Sequence, residues 1–215
     1  MSQICSLNGF RGADGSCSLS DGDQKTVLIL QGPSAIGHDN EKTYRHIGHI
    51  NLHSTTFQQD EPRIGDLLLL KLLENCIDRK LYPRTEILIH SDVQDIYNNG
   101  IDWRSFNGAS LCLLDAAIRM NYFFAAVLVA NIFDEDVRKI EVVVNPESRL
   151  LPKAKNMFLF VFKPSLIEPE LIGESSFGDF SFDELEIALE LGKKHSLKSL
   201  DYIRHEISLK LNKNL

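Results

Sequence analysis

The chain has 215 residues, a hydrophobic content of 43% and a formal net charge of −7, which together fit one domain with a sizeable buried core. The acidic balance argues against a protein whose whole surface grips nucleic acid, although it leaves room for a local basic face. Nothing in the composition indicates disorder.

The N-terminal segment MSQICSLNGF lacks a basic region followed by a long apolar run, so it does not predict a secretory signal. No apolar stretch in the sequence is long enough to span a bilayer. The cysteines form no CxxC pair, which argues against structural zinc and is typical of reduced, largely buried thiols. They are Cys5, Cys17, Cys76 and Cys112. We therefore expect a soluble intracellular protein without a metal or other cofactor.

The first half of the chain predicts strands joined by turns, followed by a helix. Residues 16–19 alternate, residues 21–23 form a turn and residues 26–30 run on as a second strand, which is the signature of a hairpin. Residues 44–55 alternate again and predict a third strand. The segment RIGDLLLLKLLENCID is the first amphipathic helix. Its predicted buried face consists of Ile64, Leu67, Leu68, Leu72 and Cys76.

The second half of the chain mixes strands and helices. A strand (TEILIHSDVQD) precedes a helix rich in small residues (FNGASLCLLDAAIR), which permits close packing against a sheet. Two strands, at 123–132 and 139–146, and a hairpin over 156–176 follow. Ser181 and Glu184 form a capping box that opens a long C-terminal helix. This order predicts an α+β fold of mixed sheets with packed helices, as a single domain over residues 1–215.

Four of these segments, in this order and spacing, resemble the RNase PH family. They are DGSCSLSDGDQKTVLILQGP, LYPRTEILIHSDVQD, NGASLCLLDAAIRM and FSFDELEIALELGKK. Together they extend over most of the chain, from about Asp14 to Lys194. The resemblance implies the RNase PH-like fold, which is also described as ribosomal protein S5 domain 2-like.

The start of the chain resembles one class within that family. Catalytic members carry an Arg-x-Asp-Gly-Arg segment well before Asp-Gly-Ser, and here Arg11-Gly12 is the nearest counterpart. This short start, together with residues 81–85, resembles the non-catalytic RNase PH-like subunits of the RNA exosome core. The resemblance implies that the chain assembles with other RNase PH-like subunits into a hetero-hexameric ring. Its further partners would be S1/KH-domain cap proteins, an associated catalytic nuclease and RNA in the assembled channel. It also implies locations in the nucleus, nucleolus and cytoplasm.

The family holds inorganic phosphate with a Gly-Thr-Arg motif just before the small-residue helix. The matching residues here are Gly100, Ile101 and Asp102, so the hydroxyl is lost and the cation is replaced by an anion. Two like charges a few ångströms apart repel by roughly 1–4 kcal/mol, depending on the effective dielectric. We therefore expect Asp102 to repel phosphate.

Two neighbouring residues offer alternatives at this position. Arg104 lies two residues beyond Asp102 and would point the same way in an extended segment. It can then restore phosphate binding, pair with Asp102 or face solvent, and the last two roles are favoured. Trp103 either fills the space of a former active site or packs in the core.

A second family position is also changed. The resemblance implies a catalytic aspartate in an Ala-Asp-Met run, and here that run is Lys155-Asn156-Met157. Asparagine cannot act as a general acid or base at neutral pH. An upstream family arginine falls at Asp60, with Arg63 close by as a substitute. We expect an inactive site.

Candidate RNA contacts lie mainly in the connection DRKLYPR, where basic and aromatic residues alternate as in single-strand binders. They are Arg79, Lys80, Tyr82 and Arg84, with Arg104, Lys153 and Lys155 as further candidates. A solvated helix-to-strand connection is the favoured alternative. No Gly-x-Ser-x-Gly, Walker or dinucleotide motif appears.

Three histidines and one acidic run are candidate metal ligands in the sequence. His46, His49 and His53 share one predicted strand, but only His49 and His53 share a face, about 13 Å apart. This is too far for one metal ion, so they are interpreted as ordinary strand residues. The acidic run at 134–136 is interpreted as a charged hairpin tip.

These observations favour a non-catalytic subunit of the exosome core ring that supports 3′–5′ RNA degradation and ribosomal RNA processing. The alternatives are an active phosphate-dependent 3′–5′ exoribonuclease, which needs Arg104 or Arg63 to bind phosphate, and a free-standing RNA-binding module. The acidic charge disfavours the last of these.

Overall fold

The computed structural model describes residues 4–7, 9–21, 24–37, 45–54, 63–93, 102–134 and 139–213. Nine strands and three α-helices are described within these ranges. In chain order they are β1 (Ile4–Leu7), β2 (Gly15–Asp21), β3 (Gln24–Ala35), β4 (His49–Ser54), α1 (Ile64–Cys76), β5 (Thr85–Val93), α2 (Trp103–Asp115), β6 (Ala125–Asp134), β7 (Lys139–Val144), β8 (Ala154–Lys163), β9 (Glu170–Gly178) and α3 (Phe182–Lys213).

Sheet 1 has five strands in the order β1-β2-β3-β5-β4. Its strands are antiparallel except for β4 and β5, which are parallel. The predicted hairpin is confirmed as β2 and β3, and alternate residues such as Leu28, Leu30 and Ile89 are buried. The third predicted strand is shorter than expected: β4 starts at His49 and ends at Ser54.

Sheet 2 has four antiparallel strands in the order β7-β6-β8-β9. Both of its faces are buried, which explains the nearly continuous apolar sequence of β6 and β8. Leu128 and Leu159 belong to the main core, whereas Val129 and Phe158 form a second cluster on the opposite face. The predicted strands of the second half are confirmed in these elements.

Helices α1 and α2 lie between the two sheets, because α2 contacts β2, β3 and β6 and α1 contacts β4 and β9. The small residues of α2 allow the close approach that the sequence predicts. A Cβ on Gly108 would lie 2.4 Å from Cδ1 of Leu28, so a larger residue there would require the Leu28 side chain to move. Cys17, Cys76 and Cys112 are buried free thiols, as predicted, and Cys5 is half-buried.

The predicted buried face of α1 is partly wrong. Leu72 and Cys76 are buried, but Ile64 is 58% exposed and Leu67 is 42% exposed. Leu69 and Leu73 take their places in the core. A run of consecutive leucines at 67–70 has no helical period, so the packing of α1 between β4 and β9 decides which of them are buried.

The capping box of α3 forms as predicted. The Glu184 amide donates to Ser181 Oγ at 3.2 Å, and the Ser181 amide donates to Glu184 Oε2 at 2.8 Å. The first part of α3 packs on the outer face of sheet 2, where a Cβ on Gly192 would lie 2.8 Å from Phe160. Farther along, Leu200 joins the main core. Within the described ranges, no helix combines the length and apolarity needed to cross a membrane.

Candidate functional site at the N-terminus of α2

Asp102 caps the N-terminus of α2 with its own carboxylate. Oδ1 accepts a hydrogen bond from the Arg104 amide at 3.3 Å, and Oδ2 accepts from Thr26 Oγ1 at 3.1 Å and from Ser105 Oγ at 3.3 Å. The residue is only 7% exposed. The positive end of the helix dipole and its free amides therefore already face a fixed anion, where a phosphate would otherwise bind.

Arg104 closes this arrangement. Its Nε donates to Asp102 Oδ1 at 2.8 Å, its Nη1 donates to Gln24 Oε1, and the residue is 5% exposed. The expectation of an extended segment is wrong here, because Arg104 lies in the first turn of α2 and its side chain folds back onto the cap. The ion pair is neutral as a unit, and Arg104 is not presented to phosphate or RNA in this arrangement.

Trp103 is a core residue. It is 3% exposed and belongs to the main hydrophobic cluster, while its ring lies 5.9 Å from the Arg104 guanidinium carbon. The structure therefore agrees with the second interpretation of Trp103, in which it packs in the core. Gly100 and Ile101, which the family resemblance matches to the same motif as Asp102, lie outside the described residues, as does Asp60.

Asn156 is fully buried in β8, opposite Asn131 of β6 and Gly178 of β9. Its Nδ2 donates to the carbonyl oxygen of Asp179 at 2.9 Å. Gly178 has a φ of 88°, and a Cβ there would lie 2.3 Å from the Lys155 carbonyl oxygen, so glycine is needed for this turn. A carboxylate at position 156 would lose this donor and face the Asp179 carbonyl oxygen, so the Nδ2 contact favours asparagine, although Oδ1 accepts no hydrogen bond among the described residues.

Two of the candidate RNA contacts in the α1–β5 connection have structural partners. Arg79 donates to the Gly48 carbonyl oxygen at 2.8 Å and to Glu74 Oε1 at 3.1 Å. The Tyr82 hydroxyl accepts from the Arg119 amide at 2.9 Å. Lys80 and Arg84 are exposed. This favours the interpretation of the segment as a connection, with at most two side chains presented outward.

The remaining basic candidates are dispersed. Lys155 pairs with Glu184 at 2.7 Å, and Lys153 is exposed. Arg63 occupies the N-cap of α1 without a side-chain cap, and it is not free of interactions. Burial raises the pKa of the nearby Asp66 carboxyl, and the charge of Arg63 opposes that rise.

Polar contacts that the sequence analysis did not identify hold the segments of the family resemblance together. The Asp115 carboxylate accepts from the Ser16 amide at 2.9 Å and from Lys210 Nζ. Asn107 pairs with the backbone of Ala126, donating at 3.1 Å and accepting at 2.6 Å. The signal in the sequence was an asparagine and an aspartate within a largely apolar helix. Such groups need hydrogen-bond partners when they are buried.

A cavity of about 670 Å³ lies between α3 and the end of β7. Its lining includes Asp21, His195, Lys198 and Tyr202. Burial and the charges of Lys198 and Lys194 lower the pKa of His195, and burial raises the pKa of Tyr202. Within the described residues, no group of three or more His, Cys, Asp and Glu side chains is placed to hold a metal ion.

Comparisons with known proteins identify the fold. No family profile matches the sequence, and no curated protein matches it. Among solved structures, the chain is similar to the crystal structure of rice (Oryza sativa) Rrp46, with a TM-score of 0.79 and 18% sequence identity. That match covers 96% of this chain and 94% of the rice chain. The chain therefore has the predicted RNase PH-like fold.

Proposed function

We propose that this chain is a non-catalytic structural subunit of an RNA exosome core ring. It assembles with other RNase PH-like subunits in a hetero-hexamer, beneath S1/KH-domain cap proteins, and helps to channel RNA to an associated catalytic nuclease. In this role it supports 3′–5′ RNA degradation and ribosomal RNA processing in the nucleus, nucleolus and cytoplasm. The fold shared with rice Rrp46 and the four resembling segments support this proposal.

The Asp102 cap is the observation that carries the non-catalytic part of the proposal. Phosphorolysis needs an inorganic phosphate held in line with the terminal phosphodiester and a cation near the developing charge. Here the N-terminus of α2 holds a carboxylate with four hydrogen bonds from neighbouring groups. A phosphate at that place would meet repulsion of roughly 1–4 kcal/mol and would have to replace those bonds.

Arg104 does not supply the missing cation. It would have to leave Asp102 and Gln24 to reach a phosphate, and that would leave the Asp102 carboxylate buried without its ion pair. Breaking a buried pair costs about 3–5 kcal/mol. The Asp102–Arg104 pair therefore opposes phosphate binding in two ways. Asp102 repels the phosphate, and Arg104 can reach it only if the buried pair is broken.

Asn156 supports the proposal independently of the phosphate site. Its amide is part of the turn from β9 into α3 through the Asp179 carbonyl, so this position has a structural role. A neutral amide provides neither a general base nor an anionic metal ligand. The two changes affect different requirements of one mechanism.

The assembly proposal is tested by purifying the tagged chain from its own cells and measuring the native mass and subunit composition of the complex. Recovery in equal amounts with several other RNase PH-like chains is the expected result. Recovery as a lone monomer or as a homo-oligomer would contradict the ring assignment.

A further inference from the structure

The parallel pairing of β4 and β5 places two histidines side by side. His53 of β4 lies directly opposite His90 of β5 in the register. Ile87 and Ile89 of β5 are buried in the core, so His90, next to Ile89 in the strand, lies on the opposite face of sheet 1. His53 lies on the same face, because it pairs with His90. His53 is exposed and His90 is half-buried, and both are accessible from solvent.

The separation of the two rings suits a shared metal ion. Their centroids are 5.4 Å apart and their planes are inclined by 48°. With metal–nitrogen bonds of about 2.0–2.1 Å and a tetrahedral angle between them, the centroids of two coordinating imidazoles lie about 5.2 Å apart. The observed separation of the two rings is therefore close to that of two imidazoles on one ion.

Both imidazoles are available as ligands. Among the described residues, the only interaction recorded for either ring is their mutual contact. His49, by contrast, lies 3.7 Å from Glu86 Oε1. Glu86 and Asp92 occupy the same face of β5 as His90, and their negative charges favour a cation nearby.

We propose that His53 and His90 form a two-imidazole chelate for a late first-row divalent ion, Zn²⁺, Ni²⁺ or Cu²⁺. Imidazole suits these ions, and Cu²⁺ binds most tightly in their common order of affinity. Each ring contributes one nitrogen, and the remaining positions of the ion stay open to water. This site is separate from the α2 N-terminus, and its existence does not depend on the ring assignment.

The spacing along one strand predicts only that His49 and His53 share a face, about 13 Å apart. The second ligand comes from the neighbouring strand instead. Which histidines face each other across a sheet depends on the register, and here a parallel pairing of β4 with β5 sets it.

The test is a calorimetric titration of Cu²⁺ into the full-length, tag-free chain, with the His53→Asn and His90→Asn variants in parallel. His205→Asn is the matched control, because His205 is a single exposed histidine on α3. We expect each variant of the pair to lower the affinity of one site at least tenfold, and the control to leave it unchanged. The nitrogen couplings in the electron paramagnetic resonance spectrum should fall from two to one in each variant.

Wild-type affinity in His53→Asn, or an equal loss in His205→Asn, would overturn the proposal. His53 is exposed, so its replacement leaves the fold intact and decides the question even if His90→Asn unfolds.

Discussion

Two regions of this protein contain buried polar side chains, but these side chains bind different kinds of partner. Between β2, α2, β6 and α3, Asp115 and Asn107 bind backbone groups of distant strands. At the N-terminus of α2, Asp102 and Arg104 mainly satisfy each other and the helix end. The first region joins the segments of the family resemblance, whereas the second lies at the position that the resemblance matches to the family's phosphate motif. The contacts of Asp115 and Asn107 that join the elements of the fold therefore do not depend on phosphate binding at the N-terminus of α2.

The largest effect should follow loss of Asp115, which lies in the region that joins the elements. Asp115→Ala removes the acceptor of the buried Ser16 amide and the ion-pair partner of Lys210, which keeps only the carbonyl oxygen of residue 115, so we expect a loss of about 4 kcal/mol in the free energy of unfolding. Urea denaturation measures it. Asp201→Ala is the control, because its ion pair with Arg204 is exposed and should contribute about 0.5 kcal/mol or less. Equal effects of the two variants would contradict this account of the first region.

Asp102→Ala should cost about 3 kcal/mol, because it leaves the Arg104 guanidinium buried and removes the cap of α2. In an Arg104→Met background the same change should cost much less. Denaturation of the four proteins gives the coupling free energy between the two side chains. Additive losses would show that the two side chains do not act as a unit.

Asn156→Asp tests the structural role of the Asn156 amide. The carboxylate would face the Asp179 carbonyl, so we expect a loss of about 2 kcal/mol at neutral pH and no gain of phosphorolysis. The loss should shrink in acid, because only the ionised carboxylate repels the carbonyl. An unchanged stability at pH 7 would mean that the turn does not depend on the amide.

Glu184→Gln should have the smallest effect. A hydrogen bond from Lys155 lowers the pKa of Glu184, with a further contribution from the Ser181 amide. The ionised carboxylate therefore adds stability above the unfolded pKa, and this contribution is lost as the pH falls through the folded pKa. The glutamine variant keeps the reciprocal cap and should differ slightly from the parent at pH 7 and not at all near pH 2. Thermal unfolding at both pH values measures this, and an undiminished difference in acid would contradict it.

The sequence predicted the elements well where the signals are local. The β2–β3 hairpin and the Ser181–Glu184 capping box depend on neighbouring residues, and both form. The buried face of α1 was partly wrong, because its run of leucines has no period. The backbone of Arg104 was also predicted wrongly, since the sequence did not show that the helix begins at Trp103.

The partners of the buried polar groups could not be predicted because they are distant in the chain. Asp115 and Lys210 are 95 residues apart, and Asn156 and Asp179 are 23 apart. Such pairs are set by the packing of α3 and by the turn after β9. For the same reason, the sequence could suggest that Asp102 and Arg104 pair but could not show the contribution of Gln24 and Thr26.

The central claim is that this chain has the RNase PH-like fold without its phosphorolytic chemistry. The most direct measurement incubates the purified chain, and the complex that co-purifies with it, with end-labelled single-stranded RNA in the presence and absence of inorganic phosphate. We predict that this chain releases no nucleoside diphosphates. Phosphate-dependent release that disappears in an Arg104→Ala or Arg63→Ala variant would contradict the account and restore an active site to this protein.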